Sequence, residues 1–143
     1  MIDDVYNAKI LGFAGNIARI GRLEQPDATA TAHSKLCGST VTIDLRMQDG
    51  IVTDFAHVVK ACALGQASAS LMGAHALGRS GEELAEARDA LAAFLDGRRA
   101  DPGDWPGLDL LRPARPYKAR HPSILLAFEA VAEAAGRAAQ GPG

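Results

Sequence analysis

An Asp49-Gly50 dipeptide between two apolar segments constrains the fold of this chain more than any other feature. Before the dipeptide, apolar and polar residues alternate, with the apolar ones at Val41, Ile43, Leu45 and Met47. Asp-Gly tolerates the positive φ angles of a tight turn, and an alternation with period two is typical of a strand with one buried face. The segment from Val41 to Val59 is therefore predicted to form an antiparallel β-hairpin, and Ala28 to Ser34 is predicted to add a third, weaker strand.

After the hairpin the sequence has a helical composition. Small residues dominate 67–72, which suits a closely packed helix that begins just after Cys62. Ser80 and Glu83 match a capping box, in which the serine accepts from a backbone N–H and the glutamate reaches back to the cap. A second helix is predicted there, with a stop at Gly97 and an apolar stripe at Leu84, Ala87, Leu91 and Phe94 or Leu95.

Proline placement marks the remaining elements. The segment 101–116 contains four of the seven prolines and is predicted to be a loop with one turn at 108–111. Pro122 suits the first position of a last helix because it has no N–H to leave unbonded. The buried stripe of that helix would be Ile124, Leu125, Phe128, Val131 and Ala135. Near the start, 3–20 has apolar residues at roughly helical spacing but contains two glycines, which predicts a broken helix.

These elements define an α+β fold in which a small antiparallel sheet of about three strands packs against a helical layer. The chain has 143 residues, which suits one domain, predicted to span 1–138. We expect 139–143, which ends in Gly-Pro-Gly, to be a disordered tail.

Composition and charge narrow the class of function. A formal net charge of -2, with 22% charged residues, does not indicate nucleic-acid binding. The first residues carry acid where a secretory signal carries Lys or Arg, and no apolar run approaches the roughly 20 residues that span a bilayer. A cytoplasmic protein without membrane association is predicted. Its two cysteines are expected to be free thiols, because a reducing cytosol disfavours a structural disulfide.

The predicted hairpin would bring the two cysteines together. Cys37 precedes its first strand and Cys62 follows its second strand, and a hairpin places its outer ends side by side. Gly38 permits a close backbone approach, and backbone N–H groups at the helix start are expected to stabilise a Cys62 thiolate. Both cysteines are therefore candidate ligands or nucleophiles. The alternative is that they are small buried hydrophobic residues, as free cysteines often are.

Three segments carry a family resemblance: CGSTVTI at 37–43, CALGQASASLM at 62–72 and YKARHPSI at 117–124. They resemble the first-cysteine motif, the second-cysteine helix and the third-cysteine region of the IscU/NifU/SufU family of iron–sulfur cluster assembly scaffolds. The long segment between Cys62 and His121 is similar to the insertion of the SufU-like branch. The resemblance covers nearly the whole chain and implies the α+β fold of that family.

Two positions depart from the family pattern. Ser39 stands where the family has an aspartate, and His121 stands where it has its third cysteine. Imidazole is a good metal ligand, whereas a hydroxyl is a poor one at neutral pH, so the resemblance implies a site formed by Cys37, Cys62 and His121 with an open fourth position. Because His121 precedes a proline, it is expected to have an extended backbone, and the dipole of the last helix is expected to disfavour the imidazolium.

The resemblance also implies cofactors and partners. Two thiolates and one imidazole suit a transient iron–sulfur cluster, and the same set suits zinc, which SufU-like relatives carry, so the sequence leaves both open. Cys37 and Cys62 would accept persulfide sulfur from a partner cysteine desulfurase, and cluster-acceptor proteins would be further partners. The predicted function is a non-enzymatic scaffold or sulfur acceptor in iron–sulfur cluster assembly.

Two other functions stay open. A degenerate paralogue would keep the fold as a binding or regulatory module without assembling a cluster. A zinc hydrolase would use the open coordination position but would need a general base, and Ser39 removes the obvious carboxylate.

Other polar residues have simpler interpretations. The remaining histidines match no family motif and are interpreted as surface or hydrogen-bonded structural residues; they are His33, His57 and His75. His57 is the best candidate metal ligand of the three, because it is expected to end a strand on the cysteine side of the sheet. The short basic cluster is interpreted as a solvated loop, or else as a docking surface for an acidic partner; it comprises Arg112, Arg115, Lys118 and Arg120.

Overall fold

The structure, a computed structural model, describes residues 6–35 and 38–139. Its sheet has three antiparallel strands in the order β1-β2-β3, with bounds β1 Ala28–His33, β2 Thr40–Gln48 and β3 Ile51–Lys60. The α-helices are α1 Ala8–Ala14, α2 Ala63–His75, α3 Gly81–Leu95 and α4 His121–Ala139. Two 3-10 helices, Leu108–Ala114 and Lys118–Arg120, lie between α3 and α4. The predicted α+β fold is confirmed.

The hairpin forms as its turn residues predict. Asp49 and Gly50 adopt positive φ angles of 54° and 77°, so the two strands reverse through a two-residue turn. The register pairs Leu45 with Phe55, and its irregularity lies next to Arg46. The weaker strand also forms, as β1, and pairs along its full length with β2.

The inner face of the sheet forms the core with the helices. Ile43, Leu45 and Phe55 project from this face and are almost completely buried, and each contributes roughly 1.5–3 kcal/mol by leaving water. Helix α4 covers β1 and β2, α2 packs beside it against α1, and α3 packs on α4. All residues of the stripe predicted for α3 are buried.

The outer face of the sheet carries a buried carboxylate. Asp44, in the middle of β2, is fully buried. It accepts hydrogen bonds from Nε of Arg22 at 2.6 Å, from another guanidinium nitrogen of Arg22 at 3.0 Å, from the backbone N–H of Leu23 at 3.0 Å and from the hydroxyl of Thr29. These bonds fasten the segment before β1 onto this face and satisfy the buried charge.

A second fastening covers the outer edge of β3. The backbone N–H of His57 donates to the carbonyl of Arg19 at 3.1 Å, and Gly21 N–H donates to the carbonyl of His57 at 2.9 Å. The His57 ring adds a bond from Nε2 to the carbonyl of Ala18 at 2.8 Å. Residues 18–21, here called the edge segment, therefore occupy backbone groups that an edge strand would otherwise present to solvent.

The helix boundaries follow the predicted signals with small differences. Ser80 and Glu83 form both bonds of the capping box, and α3 ends before Gly97, which has a φ of 83°. The predicted turn in the proline-rich segment is a longer 3-10 helix. Helix α1 is shorter than the predicted segment, and α4 begins one residue earlier than predicted.

Two features bear on the ends of the chain and on membranes. Ala139, the first residue of the predicted disordered tail, is the last residue of α4, and 140–143 lie outside the described residues. None of the described helices has the length and apolar character required to cross a bilayer.

Candidate functional site

Cys62 occupies the N-cap of α2. Its backbone is extended, with φ −68° and ψ 172°, and its carbonyl accepts the helix's hydrogen bond from Gln66 N–H at 2.9 Å. The residue is partly buried and its thiol is free. The prediction that Cys62 stands at a helix start is therefore confirmed, and the thiol is positioned by the first turn of α2.

His121 lies at the start of α4. It is the first residue of that helix and is 8% exposed. Its backbone is α-helical, with φ −57° and ψ −43°, so the predicted extended conformation before Pro122 is wrong. The steric preference of a residue before proline is overridden because the 3-10 helix Lys118–Arg120 runs directly into α4, and the N–H of His121 donates to the carbonyl of Lys118.

The imidazole of His121 is held by two backbone carbonyls. Its Nε2 lies 2.9 Å from the oxygen of Arg115 and 3.2 Å from the oxygen of Ala114. A carbonyl oxygen can only accept, so Nε2 carries the proton. In the neutral ring, Nδ1 is then the nitrogen with the lone pair, and it is the nitrogen that can bind a metal.

The first turns of α2 and α4 lie against each other. A Cβ added to Gly65 would stand 3.2 Å from the carbonyl oxygen of Ser123. The hydroxyl of Ser68 donates to the carbonyl of Ile124 at 2.6 Å. These contacts join the beginnings of the two helices, and Cys62 and His121 are therefore positioned at the same end of the helical layer.

Cys37 lies outside the described residues, and only the chain on either side of it is placed. The connection between β1 and β2 is closed by hydrogen bonds from Ser34 N–H to the carbonyl of Ser39 and from Gly38 N–H to the carbonyl of Ser34, both 2.9 Å. Thr40, at the end of this connection, pairs with Lys60, two residues before Cys62. The hairpin thus places the β1–β2 connection and Cys62 at the same end of the sheet, as predicted.

A cavity joins that connection to His121. It has a volume of about 560 Å³, and its lining includes His33, Ser34 and Lys35 on one side and Lys118, His121 and Pro122 on the other. His33, Ser34 and Lys35 of the β1–β2 side and the predicted histidine therefore line one space. Within 6–35 and 38–139, no three His, Cys, Asp or Glu side chains are grouped so that they could hold a metal ion.

The other histidines have structural surroundings. His57 lies inside β3 rather than at its end; it is fully buried, and burial lowers its pKa, although its bond to Ala18 acts in the opposite direction. His75 is exposed and packs edge-on against Trp105. His33 is exposed but lines the cavity beside His121.

The basic cluster divides into two parts. Arg112 pairs with Asp109, and Arg115 donates to the carbonyls of Phe94 and Arg99, so these two arginines are used in the fold. The other two members, Lys118 and Arg120, are exposed beside His121. Interpreting the whole cluster as a solvated loop is therefore wrong for Arg115, which bonds to two separate carbonyls.

One part of the site was not predicted from the sequence. The carbonyls of Ala114 and Arg115 end the first 3-10 helix and bind the ring of His121, and a backbone acceptor has no residue signature. The proline-rich composition of 101–116 indicated a loop, but not that it would return to the site.

These features define a small α+β domain that places a cysteine and a histidine at two adjoining helix starts. The sequence profile of the NifU-like N terminal domain matches residues 5–102, and the chain belongs to this family. The predicted family resemblance is confirmed. The matched residues contain positions 37 and 62 but end before His121.

Known proteins agree with this assignment. An iron–sulfur cluster assembly scaffold protein IscU of Thermotoga maritima is 30% identical over 132 residues, which are 91% of this chain and 92% of that protein. A crystal structure of a nitrogen-fixing NifU-like protein (N-terminal) from Brucella abortus is 54% identical, covers 97% of both chains and has a TM-score of 0.92. The crystal structure of a putative scaffold protein for the SUF system from Fervidobacterium islandicum shares the fold, with 19% identity, coverage of 92% and 96%, and a TM-score of 0.85. The curated relatives are named as scaffold proteins, not as enzymes.

Proposed function

We propose that this protein is a scaffold for iron–sulfur cluster assembly, with Cys37, Cys62 and His121 as the protein ligands of the nascent cluster. The iron and sulfide are the cargo of the scaffold. Thiolates hold iron because soft sulfur donors suit it, and one imidazole in place of a thiolate is known from Rieske-type centres.

The observation that carries this proposal is the hydrogen bond from Nε2 of His121, which leaves Nδ1 of the ring free to bind a metal. Ligand histidines usually donate their second ring N–H to a carbonyl or a carboxylate, and Nε2 of His121 does so towards Arg115. The ring belongs to the first turn of α4, which adjoins the first turn of α2 with Cys62 at its N-cap. It also lines a cavity whose other lining residues include His33, Ser34 and Lys35.

In this proposal the cysteines also receive sulfur. A thiolate of Cys37 or Cys62 attacks the terminal sulfur of a persulfide on a partner cysteine desulfurase, and the partner's cysteine leaves as a thiolate. Cluster-acceptor proteins would then remove the finished cluster. Exposed Lys118 and Arg120, beside His121, supply positive charge for an acidic face of either partner.

Zinc is the competing occupant. Two thiolates and one imidazole leave a fourth position open on a tetrahedral metal, which is a known zinc arrangement. A zinc-bound form would act as a sulfur acceptor, and its thiolates would be metal-bound before sulfur arrives.

Anaerobic purification, metal analysis, and reconstitution with iron and sulfide test these alternatives. Wild-type protein should take up iron and sulfide and develop visible charge-transfer absorption. Cys62→Ser and His121→Ala should each lose most of that absorption. The matched control is His75→Gln, which changes an exposed histidine at the far end of α2 and should leave the absorption unchanged.

The outcomes separate the candidates. Stoichiometric zinc and sulfur uptake from a desulfurase, without a stable chromophore, would favour the zinc-bound acceptor. Substoichiometric metal and no chromophore in the wild type would contradict the scaffold and favour a degenerate binding module. A chromophore that survives His121→Ala would remove His121 from the ligand set.

A further inference from the structure

We infer that His121 binds its metal through Nδ1, and that Arg115 is the positioning residue that fixes this coordination mode. The inference rests on the proposed function, since it concerns how the same site presents its imidazole ligand. It adds a role for Arg115, which lies outside the three segments that carry the family resemblance.

The first step is the tautomer. Both polar contacts of Nε2 are to oxygens that can only accept, and they come from consecutive residues, Ala114 and Arg115. Ala114 is the last residue of the 3-10 helix Leu108–Ala114 and Arg115 is its C-cap, where helix carbonyls lack intrahelical donors. The carbonyl of Ala114 also accepts from Tyr117 N–H at 3.0 Å. Ring nitrogens that donate in this way are fixed as Nε2–H, so the metal has to bind at Nδ1.

The second step is what holds these carbonyls in place. The guanidinium of Arg115 donates from Nε to the carbonyl of Phe94 at 2.8 Å and from a terminal nitrogen to the carbonyl of Arg99 at 2.9 Å. It also lies 4.6 Å from the centre of the Phe94 ring. One residue therefore binds the end of α3 with its side chain and His121 with its carbonyl.

The third step is specificity for arginine. Two carbonyls from different turns are bonded by two nitrogens of one rigid, planar group, and a lysine ammonium provides only a point donor on a flexible stem. The segment that contains α3 and the 3-10 helix therefore helps to position the ring of His121. It orients the imidazole ligand through two hydrogen bonds: Arg115 donates to the carbonyl of Phe94, and the carbonyl of Arg115 accepts from Nε2 of His121.

Arg112 provides a matched control. Its guanidinium also lies over Phe94, at 5.0 Å from the ring centre, but its ion-pair partner is Asp109, one turn away. Arg112→Ala therefore removes a similar charge and a similar ring contact without freeing the carbonyls that bind His121.

The direct test uses ¹¹³Cd²⁺ as a spectroscopic substitute for zinc and protein labelled with ¹⁵N-histidine. His121→Ala identifies the His121 signals. Scalar coupling between ¹¹³Cd and Nδ1 of His121, together with a retained Nε2–H signal, is expected. Coupling to Nε2 instead would overturn the inference while leaving His121 a ligand. Cadmium binding without coupling to either nitrogen would refute the proposed ligand set itself.

The positioning role is tested in variants of Arg115. Arg115→Ala keeps the carbonyl that binds Nε2 but removes its support, so it is expected to weaken zinc affinity by up to about 10-fold, the lower end of the effect of losing a partner behind a metal ligand, and to let the Nδ1–H tautomer of His121 appear in the metal-free protein. Arg115→Lys should recover part of the affinity, and Arg112→Ala should stay within about twofold of wild type. Unchanged affinity and an unchanged tautomer in Arg115→Ala would remove Arg115 from this role. The ¹¹³Cd measurement on wild type needs no variant and decides the coordination mode even if Arg115→Ala does not fold.

Discussion

Gly65 of α2 lies directly against Ser123 of α4, and a Cβ at Gly65 would approach the Ser123 carbonyl to 3.2 Å and the Ala61 Cβ to 2.7 Å. Neither neighbour is the flexible end of a long side chain, so Gly65→Ala has to shift the backbone beside Cys62. We expect a loss of roughly 1–3 kcal/mol in the free energy of unfolding and weaker zinc binding, measured by urea unfolding and competitive titration.

The control for this change is Gly136→Ala, in α4. A Cβ at Gly136 has no described atom within 4 Å, so the variant should gain about 0.5–1 kcal/mol from helix propensity. If Gly65→Ala also stabilises the protein and binds zinc normally, the close contact between the two helix starts does not constrain the site.

Asp44→Asn tests the buried carboxylate on the outer face of the sheet. Hydrogen bonds from Arg22 above all, and also from Thr29 and Leu23, outweigh burial and hold the pKa of Asp44 below its ordinary value. Its partner Arg22 is 57% exposed, so removing the charge leaves no buried cation behind and should cost about 1.5–3 kcal/mol at pH 7, the usual contribution of hydrogen bonds to a charged group. The control is Asp109→Asn, which removes an exposed aspartate paired with Arg112. It should lower the free energy of unfolding by at most about 1 kcal/mol.

The pH dependence of Asp44 has a defined sign. Because the pKa is lower in the folded protein, the unfolded chain binds the proton first, near its ordinary pKa of about 3.9. The stabilisation is complete above that pH and is lost as pH falls through the folded pKa. Urea unfolding from pH 7 to pH 3 should show wild type and Asp44→Asn converging at the acid end; a constant difference would contradict this assignment.

His57→Gln tests the buried imidazole in β3. Burial lowers the pKa of His57 in the folded protein, so the unfolded chain takes up a proton first, below its ordinary pKa of about 6.5. The wild type should therefore lose stability as pH falls from 7.5 to 5.5, and His57→Gln should lose less over that range. Thermal unfolding measures both, with exposed His75→Gln as the control that should retain the wild-type pH dependence.

Ser39→Asp restores the carboxylate that the family pattern has at this position. Ser39 is 4% exposed, and burying an ionised carboxylate without a cation costs several kcal/mol. The metal-free variant should therefore melt at a lower temperature than wild type. Zinc binds the folded protein and supplies a cation, so the zinc-induced rise in melting temperature should be larger by several degrees than in Ser39→Asn. Equal rises in the two variants would show that position 39 does not face the metal.

Much of the fold could be predicted because its signals are local. The Asp49-Gly50 turn and the alternation before it are enough to specify the hairpin, and Ser80 with Glu83 is enough to specify the start of α3. The turn and the capping box each act within about four residues, and the alternation lies within one strand, so these signals act without help from the rest of the fold.

The remaining features depend on distant partners. Asp44 was predicted only as one polar position of a strand, because its partner Arg22 is 22 residues away in a segment without a periodic pattern. His121 was expected to be extended because the rule for residues before proline is local, whereas the 3-10 helix that leads into α4 decides the outcome. The role of Arg115 was not predicted, since its partners are backbone carbonyls of Phe94 and Arg99, which carry no sequence signature.

The edge segment 18–21 has a consequence for how this protein meets other chains. An open edge strand recruits extended segments of other molecules and is a common start of aggregation, and here the backbone of β3 at His57 is already bonded to Arg19 and Gly21. On β1, Arg137 donates to the carbonyl of Thr29 at 2.7 Å. A fourth strand could join at β3 only after displacing the edge segment. Partner proteins are therefore expected to engage this chain through side chains and loops, and concentrated protein should resist the formation of β-rich aggregates.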